Sequence, residues 1–132
     1  MKKTAPLICI FLFILTIASS CGQHKRPDGM SKEVYELGMR AVKLIDDYHT
    51  GKITSSDVNG PLESIVTRLE EIKKEDEGKQ TAKSNYGFQN SDYANYISYW
   101  ISSFIQEKDL EFLDGDTYNA YDNLCRLLGM TK

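Results

Sequence analysis

The stretch SDYANYISYWISSFIQE, residues 91–107, decides the fold of this chain. Its apolar side chains recur at intervals of three and four residues, the repeat of an amphipathic α-helix rather than of a β-strand. The pattern predicts a helix over 91–107, capped by Asn90 or Ser91. The apolar stripe is formed by Tyr93, Tyr96, Ile97, Trp100, Ile101, Phe104 and Ile105. The side chains on or near the opposite face are Ser98, Tyr99, Ser102 and Ser103.

Two flanking segments repeat this pattern. The first is a predicted helix over about 31–50, with Ser31 as its N-cap and Gly51 as the left-handed residue after its end. The last is a predicted helix over about 116–128, terminated by Gly129. The stripe of the first helix is Val34, Leu37, Gly38, Ala41, Leu44, Ile45 and Tyr48. The stripe of the last helix is Tyr118, Tyr121, Leu124, Cys125 and Leu128.

The second helix has an ambiguous start. Residues 54–57 have the spacing of a capping box, with Asp57 in place of Glu. Because Pro61 has no backbone N–H, the simplest interpretation is a short turn over 55–59 and a helix from Pro61 to about Glu75. The stripe of this helix is Leu62, Ile65, Val66, Leu69 and Ile72.

Four amphipathic helices predict an all-α fold, a small bundle of about four helices over residues 31–132. No segment shows the sustained alternation that a sheet requires. Residues 46–57, DDYHTGKITSSD, resemble a helix–turn–helix junction that is frequent in small helical proteins of Gram-positive bacteria. The resemblance implies an αα-hairpin and no activity.

The chain begins with the three parts of a secretory signal. Lys2 and Lys3 form a positive start, an uncharged run of about thirteen residues follows, and small residues precede Cys21. A transmembrane helix needs about twenty apolar residues, so this run is better explained by a cleaved signal over 1–20 than by an uncleaved anchor.

Residues Ile17-Ala18-Ser19-Ser20-Cys21 resemble the lipobox of bacterial lipoprotein precursors. The resemblance implies cleavage before Cys21 and attachment of a diacylglyceryl group to its sulfur, with further acylation, for example by palmitate, in some bacteria. Two or three acyl chains anchor a protein stably, whereas one does so only marginally. The protein would then lie on the extracytoplasmic side of the cell membrane, or at the outer membrane in a Gram-negative host, since Gly22 replaces the retaining Asp.

The segment after the cysteine is predicted to be a lipidated tether over 21–30. Pro27 and Gly29 disfavour regular structure, and the stretch 22–29 spans at most about 25 Å when extended. With Cys9 removed and Cys21 lipidated, Cys125 is the only remaining thiol, so an intramolecular disulfide is excluded.

The charge balance excludes nucleic acid as a partner. The chain has 16 basic and 19 acidic residues; without Lys2 and Lys3 the balance is 14 against 19, a net charge of −5. Phosphate binding needs a basic patch. The lipid on Cys21 is therefore the expected contact with a membrane, and any protein partner stays unidentified.

The candidate binding residues are aromatic. Tyr86 and Phe88 flank Gly87 in the irregular segment 76–89, and their rings either fold back onto the bundle or remain exposed as anchors for a partner. Tyr99 falls off the stripe of its helix. These three residues predict a non-enzymatic binding module, with a pilotin-like or immunity-type lipoprotein as narrower versions.

The alternative function is a cell-envelope enzyme that uses Asp46, Asp47 or Glu71. No Ser has a His or Lys base placed by a motif, and no cofactor motif is present. We expect no metal site: Asp46, Asp47 and His49 point in different directions on a helix. Residues 114–125 fail the calcium-loop rule at the sixth and twelfth positions.

Overall fold

Four α-helices account for the regular structure of the described residues. The computed structural model describes residues 24–79, 87–109 and 116–130, without the side chains of 116–118. The helices are α1 (Lys32–His49), α2 (Ser55–Glu77), α3 (Asn90–Glu107) and α4 (Asp116–Leu127). The predicted all-α bundle is thereby confirmed. The predictions for 1–20, Cys21, Tyr86 and 114–115 lie outside the described residues.

Helix α1 begins and ends as its sequence predicts. The Ser31 hydroxyl accepts a hydrogen bond from the backbone N–H of Val34 at 3.2 Å. After the helix, Gly51 has a φ of 72°, and the N–H of Lys52 donates to the carbonyl of Asp47 at 2.8 Å. This is the bond of a Schellman motif, which needs a left-handed residue that glycine supplies without strain.

The predicted start of the second helix at Pro61 is wrong, because α2 begins at Ser55 and carries Pro61 in its interior. The capping box forms as its spacing predicts: the N–H of Asp57 donates to the Thr54 hydroxyl at 3.3 Å, and the N–H of Thr54 donates to the Asp57 carboxylate at 3.0 Å. Val58 is fully buried. The cap and this burial together outweigh the hydrogen bond that Pro61 removes.

The predicted cap of the third helix is also wrong. The N-cap is Gln89, and Asn90 is the first residue of α3. The Asn90 side chain makes long-range bonds instead: its oxygen accepts from the N–H of Ser31 at 2.7 Å, and its amide donates to Asp76 at 2.6 Å. Asn90 therefore joins the starts of α1 and α3 to the end of α2 and is not available as a cap, and Ser91 lies inside the helix.

The core lies where the apolar stripes of the four helices meet. Helix α1 packs against all three other helices, and α3 also packs against α2 and α4. A Cβ atom on Gly38 would lie 2.6 Å from Leu128, so the missing side chain lets the end of α4 approach α1. Within the part of the chain that is described, no helix is both long and apolar enough to cross a membrane. The largest fully buried side chains are Phe104, Ile45, Leu62, Leu69, Ile97, Ile101, Leu124, Leu128, Val34 and Val58.

The face of α3 that the sequence predicts to be polar is partly covered by α2. Ser98 is buried, at 8% exposure, as is Ala94 one turn earlier. Small side chains at these positions allow a close approach of α2, and Lys73 donates to the Asn95 side chain at 2.9 Å beside them. The predicted position of Ser98 on or near the face opposite the stripe therefore does not leave it in solvent, because α2 covers part of that face.

The described part of the predicted tether, residues 24–30, lies against the bundle, and we name it the strap. The Tyr35 hydroxyl of α1 donates to the carbonyl of His24 at 3.1 Å. The Tyr93 hydroxyl of α3 donates to the carbonyl of Asp28 at 3.3 Å. These bonds fix a polar segment to two helices.

The helices run alternately in opposite directions between two ends of the bundle. At the strap end α1 and α3 begin and α2 and α4 end, and Met30 of the strap is buried in the core. At the far end the buried ammonium of Lys108 donates to Ser55 at 2.8 Å, which fastens α3 to α2. There the Tyr121 hydroxyl also donates to Asp46 at 2.6 Å, which fastens α4 to α1.

We expect Pro61→Ala to increase the free energy of unfolding by about 2 kcal/mol, because alanine restores a hydrogen bond within α2 and removes a ring clash. Urea unfolding followed by circular dichroism measures this change. A helix that began at Pro61 would favour proline at its first position, so a loss of stability would contradict the continuous helix. As a control, Pro27→Ala in the strap should not increase the free energy of unfolding, because Pro27 lies outside the helices.

Candidate functional site

The three large hydrophobic side chains exposed among the described residues lie on one surface. Phe88 precedes α3 and is 52% exposed, and Tyr96 and Tyr99 on α3 are 43% and 57% exposed. Trp100 is half-buried beside them. We name these four residues the aromatic patch.

The rings of the patch support one another. Phe88 meets Tyr96 edge-on, with ring centroids 5.4 Å apart, and also contacts buried Tyr93 at 5.5 Å. Tyr99 meets Trp100 edge-on at 4.9 Å. Each such pair adds about 0.5–1.5 kcal/mol beyond the burial of area. The exposed rings are therefore held in place before any partner arrives, which lowers the entropy cost of binding.

A shallow groove of about 330 Å³ lies between the patch and α4. Its single charged side chain is the exposed guanidinium of Arg126, which makes no ion pair with any described carboxylate. The groove thus combines an apolar floor with one available cation. It is lined by Phe88, Tyr96, Trp100, Asn123, Arg126 and Leu127.

The structure places two of the three predicted binding residues on the patch. The sequence predicts that Phe88 either folds back onto the bundle or remains exposed. Its ring does both in part, because it contacts Tyr93 and is still half-exposed. Tyr99 is exposed, as its position off the stripe indicates. Tyr86 lies outside the described residues.

The placement of Tyr96 in the buried stripe is wrong. At about 100° per residue, the seven apolar positions of α3 span an arc of about 180°. Tyr96 lies at one edge of that arc, about 90° from its middle, and Tyr99 lies about 60° further round. The width of the stripe is the sequence feature that could have indicated this exposure. An arc of about 180° is wider than one buried face, so Tyr96 at its edge remains in solvent.

The carboxylates considered for an enzyme do not converge. Asp46 accepts its hydrogen bond from Tyr121 at the far end. Glu71 pairs with Arg68 at 3.1 Å, and Arg68 also pairs with Glu33 in the first turn of α1 at 2.8 Å. Glu33 and Asp46 lie on the same helix and are separated by about 20 Å at 1.5 Å per residue. Asp46 and Glu71 therefore belong to opposite ends of the bundle.

Asp47 forms ion pairs with two lysines. Its carboxylate pairs with Lys43 at 2.8 Å and with Lys52 at 3.3 Å. The hydrogen bond from Lys43, and then that from Lys52, lowers the pKa of Asp47. A general acid at neutral pH needs the opposite shift, so the arrangement favours a structural role for this side chain.

An aromatic cluster closes the far end. The His49 ring lies 5.6 Å from the rings of both Phe104 and Tyr121. Burial, followed by the hydrogen bond to Asp46, raises the pKa of Tyr121, so its phenol remains a donor. Cys125, half-buried one turn along α4, is a further hydrogen-bond partner of Tyr121. These contacts indicate a structural role for the cluster, in which it holds the far ends of α1, α3 and α4 together.

Metal binding finds no support in the part of the chain that is described. There, no three His, Cys, Asp or Glu side chains lie close enough together to hold a metal ion. Comparison with known proteins gives no further guide, since no family model, no curated protein and no solved structure matches the chain.

We expect the protein to lose stability on acidification because of His49. Partial burial of the ring against Phe104 and Tyr121 lowers its pKa below the ordinary value of 6.5, against a smaller opposing effect of Asp46. As the pH falls through that value, the unfolded chain binds a proton that folded His49 does not, and the free energy of unfolding decreases.

Urea unfolding between about pH 7.5 and 5.5 tests this dependence. The pH-dependent loss should shrink in His49→Gln and persist in His24→Gln, because His24 lies in the strap, at the opposite end from the Phe104 and Tyr121 rings that contact His49. An unchanged loss in His49→Gln would assign it to other groups.

Proposed function

We propose that this protein is a lipid-anchored interaction module of the cell envelope, without enzymatic activity, that binds a protein segment on its aromatic patch. The anchor is the diacylglyceryl thioether at Cys21 that the lipobox resemblance implies. The protein then lies on the extracytoplasmic side of a membrane. The patch supplies the binding surface.

The observation that carries the proposal is the confinement of Phe88, Tyr96 and Tyr99 to one surface. A continuous exposed apolar patch typically marks an interaction site, whereas scattered exposed side chains need no explanation. Tyrosine and tryptophan suit such a site, because they bury a large area at a small entropy cost. The groove beside α4 extends the surface.

The chemistry of the groove defines the class of partner. Its floor accepts apolar side chains, and Arg126 offers a cation that no described carboxylate neutralises. Since the chain beyond residue 20 is acidic overall, this local cation favours an acidic group on the partner. A protein segment with apolar side chains and one carboxylate matches both features.

The enzyme alternative has less support. Asp46 and Glu71 lie at opposite ends of the bundle, and Asp47 is paired with two lysines. General acid–base catalysis with two carboxylates needs both beside one substrate. The positions of the carboxylates therefore favour the binding module.

Lipid attachment predicts that labelled fatty acid enters the wild-type protein in its host and is absent from Cys21→Ala. Cys125→Ala is the matched control, because it removes the other thiol of the mature chain, and it should be labelled as wild type. Extraction of the labelled product into a detergent phase measures the anchor. Equal labelling of Cys21→Ala would contradict the proposed attachment.

The patch predicts position-specific crosslinking. A photoreactive residue at Tyr99 should give a discrete adduct in intact cells, whereas the same residue at exposed Glu63 on α2 should give none. Phe88→Ala should weaken the adduct about tenfold or more, as expected for an interface anchor, without changing helicity.

The charge complement is tested separately with Arg126→Glu. This variant should weaken the Tyr99 adduct, whereas Lys52→Glu at the far end should not. Adducts of equal strength at Tyr99 and Glu63, or an adduct that both Phe88→Ala and Arg126→Glu leave intact, would reject the patch as the binding surface.

A further inference from the structure

We infer that the strap end of the bundle is the surface that faces the phospholipid bilayer. The inference rests on the proposed lipid at Cys21 and adds an orientation to it. Its basis is the short length of chain between that lipid and the first residue fastened to the bundle.

The strap is fastened along its whole length. Its first carbonyl, that of His24, accepts from Tyr35, and its fifth, that of Asp28, accepts from Tyr93. Between these bonds the strap crosses the end of α4, where the carbonyl of Lys25 lies 3.2 Å from the position a Cβ atom on Gly129 would take. The strap therefore contacts α1, α3 and the end of α4.

Close backbone contact seats the second half of the strap. Gly29 has a φ of 84°, and a Cβ atom there would collide with the carbonyl oxygen of Phe88. Met30 follows with 4% exposure and belongs to the core. Gly29 and the buried Met30 thus hold the second half of the strap at one position on the bundle. The hydrogen bond from Tyr35 holds its start at His24.

The stretch of sequence between the lipid and the strap is very short. Only Gly22 and Gln23 separate Cys21 from His24. Three Cα–Cα steps of 3.8 Å reach at most about 11 Å. Helix α1 alone is about 27 Å long at 1.5 Å per residue. A lipid on Cys21 therefore holds the strap end at the membrane surface, whereas the far end, about one helix length away, is not held there.

The strap itself carries more exposed cations than exposed carboxylates. Its exposed charged side chains are Lys25 and Arg26 against Asp28. Cations beside a membrane are attracted to anionic headgroups. The backbone carbonyl of Phe88 lies directly against the strap, its ring is half-exposed, and aromatic rings favour the membrane–water interface.

This orientation also restricts the partner of the aromatic patch. The patch starts at Phe88 beside the strap and extends along α3 to Trp100, about 15 Å from the start of that helix. A partner must therefore present its binding segment close to the bilayer, as a membrane-embedded or lipid-anchored protein does.

The test uses lipidated protein from its host in vesicles of phosphatidylethanolamine and phosphatidylglycerol that contain a lipid with a nitroxide headgroup. A fluorophore is attached to Lys32→Cys at the strap end or to Lys52→Cys at the far end, each in a Cys125→Ala background. Both lysine side chains are well exposed, Lys32 at the start of α1 and Lys52 just after its end. We expect several-fold stronger quenching at position 32 than at position 52.

Two variants change the tether and leave the lipid in place. A flexible Gly-Ser insertion of about twelve residues after Gln23 has an average end-to-end distance of about 20 Å, so it should nearly abolish the difference in quenching. Gly29→Ala should reduce the difference by releasing the strap. If Gly29→Ala does not fold, the insertion decides alone.

The outcomes separate the two proposals. Protein that does not float with the vesicles refutes lipid attachment and, with it, the orientation. If the protein floats and both positions are quenched equally, only the orientation is refuted. Weak quenching at both positions also refutes only the orientation, since the strap end would then face something other than the bilayer, such as another protein. A difference that survives the insertion also refutes it, since the short tether would then not be its cause.

Discussion

Burial of one face of α3 is the constraint on which the rest of the structure depends. Ile97, Ile101 and Phe104 on that face are completely buried, and each such side chain contributes about 1.5–3 kcal/mol relative to exposure. Since α3 packs against the three other helices, its face joins their stripes into one core. With no disulfide available among the described residues, this core has to supply most of the stability.

Much of the fold could be predicted from local sequence rules. The periodic stripes gave four helices, and Ser31 and Gly51 marked the limits of α1, because caps depend on residues within one turn. The failures came from long-range contacts. Asn90 is a good N-cap by type, but its side chain bonds Ser31 and Asp76. Pro61 is tolerated inside α2 because Val58, one turn earlier, is buried by other helices.

The candidate site was only half visible in the sequence for a similar reason. Periodicity identifies which residues share a face of a helix, but it does not tell where neighbouring helices stop covering that face. Tyr96 therefore looked like a core residue, and Arg126 had no sequence signal that linked it to α3. Tyr99 could be found because it lies beyond any plausible buried arc. Phe88, which precedes α3, joins the patch through ring contacts with Tyr93 and Tyr96 that helical periodicity does not encode.

The strap shows a more basic limit. Its hydrogen bonds to the bundle use the carbonyls of His24 and Asp28, a group that every residue carries. The side chains of a polar segment rich in Pro and Gly give no sign that its backbone carbonyls will accept hydrogen bonds from the bundle. Composition alone therefore indicates a tether. Two tyrosine hydroxyls, on Tyr35 and Tyr93, turn this segment into a fixed part of the bundle. A tether that binds its own domain gives up reach and gains direction, which is what the proposed orientation at a membrane requires.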